Sequence, residues 1–184
     1  TLENLNNGNY NTTLGHFAAR SLVNASSCIS IGFSSLYSNQ NGNNNIAVGS
    51  NSLYTLNGGS DNLAFGISSS NLLLNGNSNI SIGSSSAINN ASGSDNISIG
   101  IESLYTATNT GKSIAIGSGA LRTANAASNI GIGFNVLYNS SSGINLGLGD
   151  SAGYTTSTGV SNAFIGHQSF YSNTSGSRNT SQFY

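Results

Sequence analysis

The stretch Asn45-Ile46-Ala47-Val48-Gly49-Ser50-Asn51-Ser52-Leu53-Tyr54 decides how the whole chain is read, because near copies of it recur from end to end. Its glycine returns as Gly15, Gly32, Gly49, Gly66, Gly83, Gly100, Gly117, Gly133, Gly149 and Gly166, at intervals of 17 residues, or 16 after Gly117 and Gly133. So short a period leaves room for one solenoid coil per repeat, with like residues stacked over like along a common axis. The expected fold is all-β: a parallel β-solenoid of about ten coils with no helix, a single array over 1–184 with half a coil at each end, 1–10 and 179–184.

Taken by position within the repeat, the leading column reads Asn11, Cys28, Asn45, Asn62, Asn79, Asn96, Ser113, Asn129, Asn145, Asn162 and Asn179. Stacked about 4.8 Å apart, these amides can donate to one another along the axis, which satisfies polar groups that are costly to bury unpaired. The next column (Thr12, Ile29, Ile46, Leu63, Ile80, Ile97, Ile114, Ile130, Leu146, Ala163) and the one two residues on (Leu14, Ile31, Val48, Phe65, Ile82, Ile99, Ile116, Ile132, Leu148, Ile165) are mostly apolar. Strand alternation puts both on one face, and the sequence assigns them to the core. Between them lies a small residue, Thr, Ser, Ala or Gly, except at Phe164, on the face expected to meet another β layer. After the anchor glycine, which marks a corner needing positive φ or no Cβ, a second short strand is expected. It carries Ala19, Leu36, Leu53, Ala87, Leu104, Leu121 and Leu137 inward and Tyr37, Tyr54, Tyr105, Tyr138, Tyr154 and Tyr171 outward. A polar loop with a further glycine returns the chain to the next coil.

Composition limits the functions open to such a fold. Charged residues make up 5% of the chain and the net charge is −1, so it lacks the cationic surface that neutralises phosphates, and nucleic acid is set aside as a partner. The apolar runs are a few residues long, far below the roughly 20 that span a bilayer, so membrane insertion is not expected. Low charge with abundant Ser, Asn and Gly resembles a disordered composition, but the apolar phase held over ten repeats argues for order. The single cysteine, Cys28, reads as a packed thiol.

The core pattern Ser113-Ile114-Ala115-Ile116-Gly117-Ser118-Gly119-Ala120-Leu121 resembles the repeats of trimeric autotransporter adhesin heads and of related phage and viral fibre proteins. The similarity covers essentially the whole chain, although those repeats are shorter and have fewer loop residues. The resemblance implies a left-handed parallel β-roll, often trimeric, on a cell or virion surface, serving adhesion or forming a stalk.

The chain begins at Thr1-Leu2, in mid-repeat and without Met, and ends at Asn179-Thr180-Ser181-Gln182-Phe183-Tyr184 on a first strand. Laid end to end, Thr1 and Leu2 of one copy and Asn179, Phe183 and Tyr184 of another nearly complete one coil, and open β ends invite head-to-tail growth into a filament. Two explanations stand side by side: these are assembly ends, or both are cuts through a longer array.

No arrangement in the sequence suits catalysis or a cofactor. Asp61 and Asp95 share a phase two coils apart, roughly 9.6 Å, at the edge of an inverting glycosidase pair, but neither has a basic or aromatic neighbour in its loop. His16 and His167 are separated by nine coils, on the order of 43 Å, too far to share a metal. Gly58-Gly59 before Ser60-Asp61 is a faint and unrepeated likeness to calcium-binding rolls. Eight glycosylation sequons occur, about the number chance gives for this Asn, Ser and Thr content; those at Asn24, Asn90, Asn139 and Asn173 fall in loops and are the accessible candidates. The tyrosine column could stack on sugars or on itself. The sequence thus points first to a structural section of an extracellular, cell-surface or virion-surface fibre whose partner is itself. Second comes an adhesin or receptor-binding module that recognises surface glycans.

Overall fold

The computed structural model describes residues 7–108 and 110–182. Eleven three-residue strands form one parallel sheet in sequence order: β1 (Thr12–Leu14), β2 (Ile29–Ile31), β3 (Ile46–Val48), β4 (Leu63–Phe65), β5 (Ile80–Ile82), β6 (Ile97–Ile99), β7 (Ile114–Ile116), β8 (Ile130–Ile132), β9 (Leu146–Leu148), β10 (Ala163–Ile165) and β11 (Thr180–Gln182). Pairing is in register, Ile46 with Leu63 and Leu63 with Ile80, so the repeat of the sequence is the coil of the solenoid. No helix occurs among the described residues. Of the proposed assembly ends, Thr1, Leu2, Phe183 and Tyr184 lie outside them.

Each coil turns its corner at the anchor glycine. Gly49 has φ +131°, and a Cβ there would lie 2.6 Å from the carbonyl carbon of Gly66 in the next coil. Both conditions on the corner therefore hold at once: a left-handed backbone and no room for a side chain. The segment that follows is not the second strand anticipated from sequence but a run of turns. Its inner residue is left-handed in every coil, Leu36 at φ 48°, Leu53 at 47° and Leu104 at 49°. The ladder of main-chain hydrogen bonds nevertheless continues through it, as in Leu53 N–H donating to Ser69 O at 3.0 Å. Because these bonds satisfy the backbone and the side chain points into the core, the strain of a left-handed leucine is borne.

The structure also reverses the two faces of the strand. The small middle residues, Ala47, Ala64, Ser98 and Ala115, are fully buried, whereas the Ile, Leu, Val and Phe columns on either side lie on the outer face, half-buried to exposed. Size decides this. The coil is thin, and the inner turn leucines already fill it, so only a small residue fits opposite. A Cβ on Gly147 would come within 2.5 Å of Val136 Cγ2 and 3.0 Å of Leu137 Cγ. Sequence positions obey the rule: Leu36 is followed by Ala47, Leu53 by Ala64, Leu104 by Ala115, Leu121 by Gly131 and Leu137 by Gly147. The exception has the same cause. Phe164 fits inside because Gly153 takes the leucine position; a Cβ on Gly153 would lie 2.7 Å from Phe164 Cε2. Where Ser70 replaces the leucine, its hydroxyl donates to Ser81 at 2.7 Å, and the core is polar at that coil. The apolar core accordingly falls into two clusters, one over Ala19–Leu73 and one over Ala87–Phe164.

Candidate functional site

The outer face of the sheet is the most extensive candidate surface. Two columns of Ile, Leu, Val and Phe run along it, and a third begins just past the glycine corner. In that third column large apolar residues alternate with serine: Phe33, Ser50, Ile67, Ser84, Ile101, Ser118, Phe134. The four large residues are 52%, 61%, 58% and 55% exposed respectively, so they stand out as knobs every second coil with gaps between. The two-coil spacing is about 9.6 Å. A second column shares the alternation: Asn9, Ser26, Asn43, Ser60, Asn77 and Ser94, each linked to the next by a main-chain N–H donating to a side-chain oxygen at 2.8–3.1 Å. The 34-residue period is legible in these columns of the sequence, but the stronger 17-residue period hides it.

The tyrosine column is the second candidate. Tyr37 and Tyr54 stack with ring centroids 5.0 Å apart. Tyr138, Tyr154 and Tyr171 stack at 4.9 Å per step. Tyr105 joins the second stack through Arg122, whose guanidinium lies 4.6 Å from the Tyr105 ring centre and 5.5 Å from that of Tyr138. Arg122 is itself held by Glu102, Nε to Oε2 at 2.8 Å, and this hydrogen bond pushes the guanidinium pKa further up. Burial within the stack, with Tyr138 and Tyr171 on either side, pushes the Tyr154 hydroxyl pKa up. Stacked rings hide their faces from solvent, so most of the column serves itself. The ladder is broken at Asn71 and Ile88, which stand where tyrosines would be.

The amide column is an interior ladder. Asn79 Nδ2 donates to Asn62 Oδ1 at 3.1 Å and to Gly93 O at 2.8 Å, while its Oδ1 accepts from the main-chain N–H and Nδ2 of Asn96. Asn179, the described member of the proposed ends, continues the ladder by donating to Asn162 Oδ1. Cys28 occupies the same column, buried, its Sγ 3.4 Å from Gly42 O, and burial pushes the thiol pKa up. Of the loop sequons, Asn24 is exposed, and Asn139 and Asn173 are half-buried. Asn90 is corrected: it is 1% exposed, and its Oδ1 accepts from Gly93 N–H at 3.0 Å. Asn39 and Gly42, and Asn173 and Gly176, close the same turn. An asparagine three residues before the loop glycine, at a position where other coils place Leu22, Leu56 or Leu73, was the available signal that it points inward.

Among the described residues the charged groups meet in pairs and form no larger cluster. Asp61 accepts from Asn44 Nδ2 at 2.9 Å, and His167 Nδ1 lies 3.6 Å from Asp150 Oδ2 on the surface, a pairing of adjacent coils that the sequence reading passed over. His16 instead stacks on Phe33, 5.9 Å between centroids, far along the axis from His167. Among the described residues no group of three or more His, Cys, Asp or Glu could hold a metal. Comparison with protein-family models, curated proteins and solved structures returned no match. The elongated parallel solenoid and its surfaces therefore carry the functional argument.

Proposed function

We propose that the chain is a structural section of a surface fibre in which copies of itself pack through the outer sheet face. One observation supports this most: the Ile, Leu, Val and Phe residues that flank the small middle residue of the strands point outward and form a continuous face. Its extent is roughly 48 Å along ten rungs by about 13 Å across, on the order of 600 Å². That is as large as the largest apolar patches on monomers, and close to the roughly 800 Å² that each partner of a stable interface buries. A second copy of the same chain is the occupant that suits it. Its knobs at Phe33, Ile67, Ile101 and Phe134 recur at twice the coil spacing, so a copy displaced by one coil can set them into the serine gaps. Three such faces meeting on a common axis would give the trimeric cross-section that the sequence resemblance implies. End-to-end stacking belongs to the same proposal and uses the main-chain groups of any uncovered coil. A location on the cell or virion surface follows from the same likeness.

Sedimentation velocity tests the proposal. The chain is expected to sediment as a defined oligomer, and Ile80→Glu with Ile114→Glu is expected to release monomers that keep the β spectrum. A wild-type chain that is monomeric throughout the micromolar range would refute it.

A further inference from the structure

The break in the tyrosine column lies beside a groove. Tyr54 is covered on one side by Tyr37, 17° from parallel, and among the described residues no ring or guanidinium stacks on its other side. The next rung is Asn71, shorter than a tyrosine and turned sideways so that its Nδ2 donates to Asn51 O at 2.9 Å. Beside this break a groove of about 490 Å³ crosses four coils, with Phe17, Ser34 and Asn51 on one side, Tyr37, Tyr54 and Asn71 on the other, and Phe33 at its rim. That volume lies within the range of small-ligand sites, sufficient for one or two sugar rings.

The chemistry of the lining narrows the ligand. Flat apolar rings stand next to two carboxamides and a hydroxyl, which both donate and accept, and among the described residues no carboxylate lines the groove. The cation at its end is committed to the rings. Arg20 places its guanidinium 5.1 Å from the centre of Phe17 and 5.8 Å from that of Tyr37, and donates to Tyr37 Oη at 2.9 Å. A ligand with an apolar C–H face, a hydroxylated edge and no charge matches this set, and that is a neutral pyranose. We propose that the groove binds a neutral glycan, one sugar ring taking the stacking position on Tyr54 that Asn71 leaves open. Apart from Phe33, the lining residues lie in columns outside the outer sheet face, so the site does not depend on self-association.

Saturation-transfer NMR with maltotriose, cellotriose, chitotriose and lactose, each alone, and sialyllactose as an acidic comparator tests it. At least one neutral probe is expected to bind, with strongest transfer to protons on one ring face. Asn71→Tyr, which inserts the missing ring, and Tyr54→Leu are each expected to weaken that binding about tenfold or more while the β spectrum persists. Tyr171→Ala, at the far end of the column, is expected to leave it unchanged. Failure of every neutral probe to bind the wild-type chain, binding of sialyllactose alone, or undiminished binding in Asn71→Tyr or Tyr54→Leu would overturn the proposal. Should Asn71→Tyr fail to fold, Tyr54→Leu alone decides.

Discussion

The exchange of Phe164 with Gly153 gives a quantitative test of how the interior is packed. Phe164 is fully buried, and its ring also stacks on Phe170 with centroids 5.4 Å apart. Truncation to Ala removes that ring beside a glycine that cannot fill the space, which is expected to cost about 3–5 kcal/mol. Gly153→Leu supplies the residue usual at this position but places its Cβ 2.7 Å from Phe164 Cε2 and 2.8 Å from Leu137 Cδ2. Such overpacking costs about 1–3 kcal/mol or more. The backbone is not the obstacle: Gly153 has φ 60°, and Leu104, Leu121 and Leu137 hold φ 47–50° at the equivalent place.

When Gly153→Leu and Phe164→Ala are combined, the introduced leucine faces the introduced alanine, the same pairing by which Leu104 is followed by Ala115. The stability of this double variant is expected to return to within about 1–2 kcal/mol of wild type, so that the two changes couple favourably by about 3 kcal/mol or more. Guanidinium denaturation read by far-ultraviolet dichroism measures the midpoints. Amide exchange across residues 136–166 localises the effect, which matters because repeat arrays can lose single-step unfolding. Additive single effects, or a double variant no better than Phe164→Ala, would show that inner volume is not balanced between turn and strand.

Asn79→Ala is expected to cost about 3 kcal/mol by denaturation, since it strands Gly93 O and the main-chain N–H of Asn96 inside the coil, while Asn62 Oδ1 keeps the residue-79 N–H and Asn96 Nδ2 keeps Thr110 O; Asn57→Ala, on the exposed loop, should cost about 0.5 kcal/mol or less. Alkali should loosen the aromatic stack: the Tyr154 pKa is raised in the folded chain, so its stabilising share is full below the unfolded tyrosine range near pH 10 and is lost as pH climbs through the folded value. Absorbance of ionised tyrosine against dichroism at rising pH checks this, and Tyr154→Phe should shift the unfolding midpoint to higher pH. If the outer face is covered by further copies, the melting temperature should rise with protein concentration, and Ile80→Glu with Ile114→Glu should abolish that dependence.

Coil length, strand position and register were legible because the repeat carries all three: Gly49 and Gly66 fix the corner, and in-register pairing follows from stacking equal coils. The direction of the strand was not legible from alternation alone. Alternation says that Ile46 and Val48 share one face and Ala47 the other, and hydrophobicity favours the isoleucine side as the interior. Volume overrules it, because Leu36 and Leu53 already occupy the thin coil. The information was present as a correlation eleven residues apart, or ten in the short coils, between a large turn residue and a small strand residue. The second strand was misread for a related reason: three consecutive positions alternating in and out fit a strand, but leucines at φ near 48° fit only a turn. The tyrosines were anticipated as a column. The bridge from Tyr105 to Tyr138 through Arg122 was not, because cation and ring differ in residue type while serving the same contact.

The placement of small residues inside and large ones outside bears on how such a chain reaches stability. A monomer gains most from burying its bulkiest apolar groups, yet here Ile46, Ile97 and Ile114 remain half-exposed while Ala47, Ser98 and Ala115 take the interior. Interior stability must then rest on the few inner leucines, on Phe164 and on the hydrogen-bonded amide and main-chain ladders. These contributions are nearly the same in each coil, so extending the array lengthens the molecule without deepening its core. A globular domain improves its ratio of buried to exposed surface by growing; a column of fixed cross-section cannot. Lateral contact along the column changes that ratio, and it does so in proportion to length. An architecture of this kind would draw further stability from lateral packing, which is the physical reason for proposing the outer apolar face, ahead of any loop, as the surface where copies meet.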